Sequence, residues 1–211
     1  MTAATGQIVI LNGTSSSGKS SIAKELQSIL TGYTLHTGID HFIQMVPREF
    51  LVFSDGTNPA AVDGLLWVTA DAGKRVTEFR LGPKAVQLKE GMYRSVKAIA
   101  STGFNVIVDD VIMDERVLKM ICQLMAGKAY FVGIHCPKEE AIRRETERGD
   151  RFPGLVETQF DVVHKHGLYD LECNTLTYSA PECASFIQQM LIAVPKPEAF
   201  HTLKRTFSSN A

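Results

Sequence analysis

The run Gly13-Thr14-Ser15-Ser16-Ser17-Gly18-Lys19-Ser20 holds two glycines, a lysine and a hydroxyl residue at the spacing of a phosphate-binding loop. Gly13 and Gly18 permit the tight turn and close backbone approach, Lys19 reaches the β- and γ-phosphates, and Ser20 holds Mg²⁺. Thr14, Ser15, Ser16 and Ser17 form the body of the loop, and with Ser20 and Ser21 opening the next helix they turn backbone N–H groups toward an anion. The chemistry predicted is binding of a nucleoside triphosphate. The plainer alternative is a Gly/Ser turn between a strand and a helix.

An NTPase needs a carboxylate near that serine hydroxyl to hold the metal. The apolar run Val106-Ile107-Val108 ends in Asp109 and Asp110. Asp109 is the first choice for the metal, with Asp110 as the alternative or as a substrate contact. Transfer to a hydroxyl also needs a base on the acceptor side. Asp40, in Thr37-Gly38-Ile39-Asp40-His41-Phe42, follows a predicted strand and lies at the same sheet edge as the loop. It could equally cap the helix that follows, and a structural role is expected for His41. Four arginines gather at Arg143-Arg144-Glu145-Thr146-Glu147-Arg148-Gly149-Asp150-Arg151. Arg144 and Arg148 share a helix face, and Gly149 ends the helix and leaves Arg151 free to swing. Arg148 and Arg151 could neutralise charge on a transferring phosphoryl group, with Arg144 assigned to the nucleotide. The alternative is a solvated helix in which Glu145 and Glu147 pair with the arginines. The short spacing in His164-Lys165-His166 lacks the further ligands a metal site needs.

These residues call for a parallel sheet. Apolar runs at 8–11, 33–36, 105–109, 129–135 and, weakly, 175–178 alternate with helical periodicity at 20–30, 83–101, 114–125, 138–148, 156–166 and 181–192. The pattern predicts an α/β fold of three layers: a five-stranded parallel sheet with helices on both faces. Residues 41–82 interrupt it, with 65–70 and 75–80 reading as a hairpin insertion. The domain reading is a P-loop kinase domain over 1–194, with an acceptor region near 41–82 and an arginine lid near 143–153. The tail, 195–211, has no clear period and is expected to be loosely ordered or packed across the surface.

Composition sets the outer bounds. The 211 residues fit one domain, with 45% hydrophobic and 21% charged residues. Lys and Arg number 22 against 23 acidic residues, a formal charge of -1, which argues against a broad nucleic-acid or membrane surface. No secretory leader or membrane-length apolar run is visible, so a cytoplasmic protein is expected. Cys122, Cys136, Cys173 and Cys183 are well separated and read as reduced core thiols.

On these residues the chain resembles the chloramphenicol phosphotransferase family of small P-loop kinases. The likeness runs from the first strand to about residue 192. It includes Asn12-Gly13, Ser15-Ser16, Gly18-Lys19-Ser20, Gly38, Asp40, Val108-Asp109-Asp110-Val111, Arg144-Glu-Thr, Arg148-Gly-Asp-Arg151, Val162-Val-His164 and Tyr169-Asp170. The resemblance implies an adenylate-kinase-like core, ATP and Mg²⁺, and transfer of the γ-phosphoryl group to an alcohol of a small molecule. It matches Asp40 to the catalytic aspartate and Arg148 and Arg151 to the lid arginines. Residues 44–82 depart from it, so chloramphenicol itself does not carry over, and Gln44, Met45, Phe50, Phe53 and Trp67 are only candidates for the acceptor wall. A nucleotide or sugar kinase stays open. It would need extra basic residues on the acceptor side, where Arg48, Lys74, Arg75, Arg80 and Lys84 are available. A nucleotide-operated switch is weakened because neither Asn-Lys-x-Asp nor Asp-x-x-Gly occurs. Assembly of identical copies is left open.

Overall fold

The computed structural model describes residues 5–54, 63–70, 74–150 and 152–209. In chain order the first half gives β1 (Ile8–Asn12), α1 (Lys19–Ile29), β2 (Thr34–Gly38), α2 (Ile39–Ile43), β3 (Leu51–Ser54), β4 (Leu65–Ala70), β5 (Arg75–Leu81) and α3 (Pro83–Ser101). The second half gives β6 (Asn105–Asp110), α4 (Glu115–Met125), β7 (Ala129–His135), α5 (Lys138–Arg148), α6 (Leu155–Val163), β8 (Leu171–Asn174), α7 (Ala180–Ala193) and α8 (Ala199–Ser209). Five strands form one parallel sheet in the order β2-β6-β1-β7-β8.

Alternation along the strands builds two cores. Ile8, Ile10, Val106, Val108 and Phe131 face α3, α4 and α8, where Met92, Tyr93, Val96, Ile121 and Phe200 are buried. Val9, Leu11, Ile107, Val132 and Ile134 face the opposite side, against Ile22 and Leu26 of α1 and Ile187 and Leu191 of α7. β1 is therefore apolar without a break, because both its faces are covered. Each of these larger side chains contributes roughly 1.5–3 kcal/mol by leaving water. The four cysteines are free, buried thiols.

Three elements differ from the sequence expectations. The fifth strand is Leu171–Asn174, not 175–178. The threonines there favour a strand intrinsically, but Asn174 turns the chain instead: its Oδ1 accepts the Leu176 N–H at 2.9 Å and its carbonyl accepts from Tyr178 N at 2.9 Å. The insertion is more than a hairpin. β4 and β5 pair antiparallel, and β3 adds a parallel strand on the other side of β4, giving the order β3-β4-β5. The residues joining β4 to β5, 71–73, lie outside the described ones. The tail folds into α8, with Phe200 and Leu203 buried and Phe200 stacked on Phe131 at 4.3 Å between ring centroids. Asp170 holds it in place. Its Oδ1 accepts from Glu198 N and Ala199 N, and its Oδ2 accepts from Phe131 N. No helix among the described residues is long and apolar enough to cross a membrane.

Candidate active site

The loop between β1 and α1 sits at the carboxyl end of the sheet, where α/β folds place ligands. A Cβ on Gly13 would stand 2.3 Å from the Ile134 carbonyl oxygen, so only glycine fits under β7. Gly18 caps α1 at a φ of 96° and Ser16 takes a φ of 58°. A non-glycine residue in that left-handed region costs on the order of 1 kcal/mol, strain characteristic of ligand-binding loops. The hydroxyl oxygens of Thr14, Ser16 and Ser17 are buried without a protein partner. Buried hydroxyls of that kind suit an anion supplied from outside the chain. Lys19 is 8% exposed and its Nζ donates to the Gly13 and Thr14 carbonyls at 2.8 and 2.6 Å. Thr175 Oγ1, from the turn after β8, donates to the Ser17 carbonyl at 2.9 Å and braces the loop.

The two neighbouring aspartates on β6 point to opposite faces, as strand alternation requires. Asp109 turns toward the loop: its Oδ2 accepts from Ser20 Oγ at 2.6 Å and lies 3.4 Å from His36 Nε2. Burial raises the Asp109 pKa. The bonds from His36 and Ser20, with the charges of His36 and Lys19, outweigh it and leave the carboxyl below its ordinary value. Gly38 makes room for this side chain, since a Cβ there would fall 1.9 Å from Asp109 Oδ1. Asp110 turns the other way and is fully buried. Its oxygens accept from Lys89 Nζ at 2.6 Å, from Tyr93 OH at 2.7 Å and from Val111 N at 2.7 Å. Burial, then the Asp110 charge, pushes the Tyr93 phenol well above its usual value. Ser20 and Asp109 together offer the hard oxygen donors that Mg²⁺ prefers. Asp110 lines the same cleft, but Lys89, Tyr93 and the Val111 N–H hold its oxygens, whereas Asp109 is the carboxylate that meets Ser20. Among the described residues no cluster of three or more His, Cys, Asp or Glu has metal-site geometry.

A cleft of about 170 Å³ opens beside the loop, and its polar lining includes Ser15, Lys19, Ser20, Asp40, Asp109 and Arg148. Asp40 is in the first turn of α2, which begins directly where β2 ends. Leu65, Trp67 and Phe79 from the three-stranded sheet form the apolar side, with Ile39, Ile43, Met113 and Leu155. Trp67 is clamped by Phe53, parallel at 4.6 Å, and by Phe79 at 5.2 Å. Of the five wall candidates only Trp67 lines this cleft; Phe53 acts through Trp67, while Gln44, Met45 and Phe50 lie elsewhere. A second recess next to the loop is lined by Ser16, Gly18, Ser21, Arg144, Thr175 and Tyr178.

The arginine segment is ordered by a buried carboxylate. Glu145 of α5 is 4% exposed and accepts from Gly154 N at 2.9 Å and Val156 N at 3.0 Å, capping α6. Among the described residues it pairs with no arginine, in contrast to Glu147, which pairs with Arg143. Gly149 ends α5 in the left-handed region at a φ of 64°. Arg148 bonds Asp150 and borders both recesses, and Arg144 bonds the carbonyl and hydroxyl of Thr175. Arg151 lies outside the described residues. Sequence reasoning missed Lys89, Thr175 and Gln159. For Lys89 a signal existed: Ala85, Lys89, Met92, Tyr93 and Val96 make the buried stripe of α3, and a lysine on such a stripe demands a buried partner.

Behind the loop Asn12 Nδ2 donates to Tyr169 OH at 2.8 Å, and Tyr169 OH lies 2.6 Å from His164 Nδ1. His135 stacks on His164 at 4.0 Å, and His166 packs between Phe131 and Tyr169. Burial lowers the His164 pKa to about 3, helped by His135 and His166, and lowers that of His166 to about 4.

Comparison with known proteins agrees with this geometry. The family description "Chloramphenicol phosphotransferase-like protein" matches residues 6–192. Two relatives from strains of Mycobacterium tuberculosis, both called "Putative O-phosphotransferase", are 32% identical over 97% of this chain and 90% of their own. Among solved structures, an APS kinase of the same organism, in complex with AMPPNP and APS, superposes with a TM-score of 0.58 at 17% identity, covering 89% of this chain and 98% of its own. A sugar kinase from Janibacter reaches 0.61 at 15% identity, over 90% and 96%. Shikimate kinase from Acinetobacter baumannii, in complex with shikimate, reaches 0.56 at 13%, over 89% and 94%. At these identities the structures speak for the fold alone, and the sheet, the loop and the family match agree: the chain belongs to the chloramphenicol phosphotransferase-like family of phosphotransferases.

Proposed function

We propose that the protein is a kinase that moves the γ-phosphoryl group of ATP to a hydroxyl of an uncharged small molecule. The observation that carries the reading is the lining of one cleft by Lys19, Asp40 and Arg148 together with Trp67. The loop N–H groups and the Thr14, Ser16 and Ser17 hydroxyls cradle the phosphates, and Lys19 exchanges its loop carbonyls for the β- and γ-phosphate oxygens. The adenosine end extends toward the recess of Arg144, Thr175 and Tyr178, where Ser21 opens α1. Ser20 and Asp109 would hold Mg²⁺, which neutralises charge shared by the β- and γ-phosphates when bound. Asp40 orients the acceptor hydroxyl and accepts its proton as the new bond to phosphorus forms. Arg148, with Arg151, draws charge from the transferring group.

An uncharged acceptor is supported by where the cations go. Arg75 pairs with Glu157, Arg80 with Glu78, and Lys84 bonds Gln87. None of these three, nor Arg48 or Lys74, lines the cleft. Lys89 does, but Asp110 neutralises it. Among the described residues, a phosphorylated acceptor would meet no uncommitted cation on the apolar wall.

The test is ATP turnover against a panel of small alcohols, chloramphenicol, sugars and nucleosides, with product identified by mass. Phosphorylated product from an uncharged acceptor is expected, and Lys19→Ala should abolish it. Retention of full activity in that variant would refute the scheme, and product formed only from phosphorylated acceptors would refute the uncharged class.

A further inference from the structure

Gln159 is the one polar side chain of α6 that reaches the cleft wall, and none of the chemistry above uses it. It is 6% exposed, and its Oε1 accepts the Ser15 backbone N–H at 2.5 Å. A backbone N–H can donate only to the oxygen of a carboxamide, so this bond fixes which way the group points. The Nε2 end carries two donors, and no described residue receives either of them. Gln159 lines the cleft, so these two amide donors are available to an acceptor that enters it.

We propose that Gln159 Nε2 donates a hydrogen bond to the terminal phosphoryl group of the bound nucleotide; this rests on the ATP reading above. The two ends of a carboxamide sit on one carbon, so a donor tethered to the phosphate loop at Ser15 reaches what the loop holds. Its neighbours on the lining are Ser15, Lys19, Asp40 and Arg148, the groups placed around that phosphoryl. Gln159 is a neutral donor among cations, so it adds a directed bond without further charge. It is also tied to the arginine segment, because the buried Glu145 of α5 caps the helix that carries it.

Calorimetric titration of the full chain with Mg²⁺ and either ADP or AMP-PNP tests this without an acceptor. Gln159→Glu keeps an oxygen for the Ser15 N–H but replaces the Nε2 donor with a negatively charged oxygen. It should weaken AMP-PNP at least about tenfold while ADP stays within about twofold, the scale of one lost hydrogen bond to a charged group. Gln159→Leu should show the same selectivity with a smaller loss. A residue that merely supports the loop would behave oppositely, with Glu tolerated and Leu weakening both nucleotides alike. That outcome, or an unchanged ratio in a folded variant, overturns the inference alone. Failure of the wild type to bind either nucleotide overturns the ATP reading and the inference with it.

Discussion

In the proposed function the backbone of residues 13–20 is itself the binding surface, whereas on β4 and β5 the side chains are. The phosphate loop is held from beneath by β7 at Gly13, from the side by Thr175 and from within by Lys19. Any change in its path misaims several N–H groups together. The three-stranded sheet has a small core of its own, Val52 and Leu66 with Val68 against them, and offers Trp67 and Phe79 to the cleft. A substitution there alters shape without disturbing the phosphate cradle. Under the proposed function the contrast separates two properties: phosphoryl donation would rest on a frame, the loop braced from three sides, and acceptor choice on a wall with its own small core.

The buried Lys89–Asp110 pair joins α3 to β6 and lines the cleft both regions share, and breaking it should have the largest effect. Lys89→Met leaves Asp110 buried and uncompensated, so unfolding by urea at neutral pH should show a loss of about 3–5 kcal/mol. Adding Asp110→Asn should recover much of it. Asp109→Asn, one residue away, should cost far less stability and instead raise the Mg²⁺ concentration required for nucleotide binding. Equal stability losses at the two aspartates would mean that they do not divide the labour as their geometry indicates.

Asp40 belongs to neither frame nor wall. It stands in the first turn of α2, just beyond the edge strand β2. Asp40→Asn should lower kcat by about 10² or more while leaving MgATP affinity within about twofold, if it accepts a proton. Parallel loss of nucleotide binding would make it a part of the frame.

The frame was legible because its spacing is local. A tight turn before a helix needs its glycines, lysine and hydroxyl within eight residues, and β6 ends in its carboxylates whatever surrounds it. Which carboxylate serves the loop was not legible. Alternation puts Asp109 and Asp110 on opposite faces, but assigning the faces requires knowing that Lys89 of α3 covers one of them. β3 escaped for the same reason: four residues have little periodicity, and they pair with β4 only after ten intervening residues. α8 did carry a signal in Phe200, Leu203 and Phe207, spaced at three and four residues. The many polar residues between them hid a stripe that only the α4 surface makes meaningful. The arginine segment was legible as charge, but its order comes from Glu145 reaching across to α6.

The wall makes a milder demand. Trp67→Ala removes the indole between Phe53 and Phe79, so an acceptor's KM should rise about tenfold, in line with a lost aromatic contact. ATP KM and kcat should hold within about twofold. A matching rise in ATP KM would tie the wall to the phosphate frame and end the separation.

The smallest effect lies beneath the frame, in the histidines behind the loop. His164 and His166 titrate near 3 and 4 in the folded protein, against an ordinary value of 6.5. Between those values the unfolded chain binds the protons that the folded chain refuses, so stability must fall as pH drops below 6.5. Two such protons correspond to about 2.7 kcal/mol per pH unit, and partial solvent access reduces this to about 1 kcal/mol per pH unit. The carboxylates with lowered pKa do not confuse a measurement kept above about pH 5.5, because Asp109 and Asp114 act near and below 3.8 and Glu78, Glu140 and Glu182 near and below 4.5. Urea midpoints at about pH 7, 6 and 5.5 should therefore decline steadily, with an unchanged dependence on denaturant. His166→Phe keeps an aromatic ring against Phe131 and Tyr169 and should flatten the decline to about half. A wild-type curve already flat over this range would mean that the two rings accept protons in place, and that the support beneath the loop is wetter than its packing.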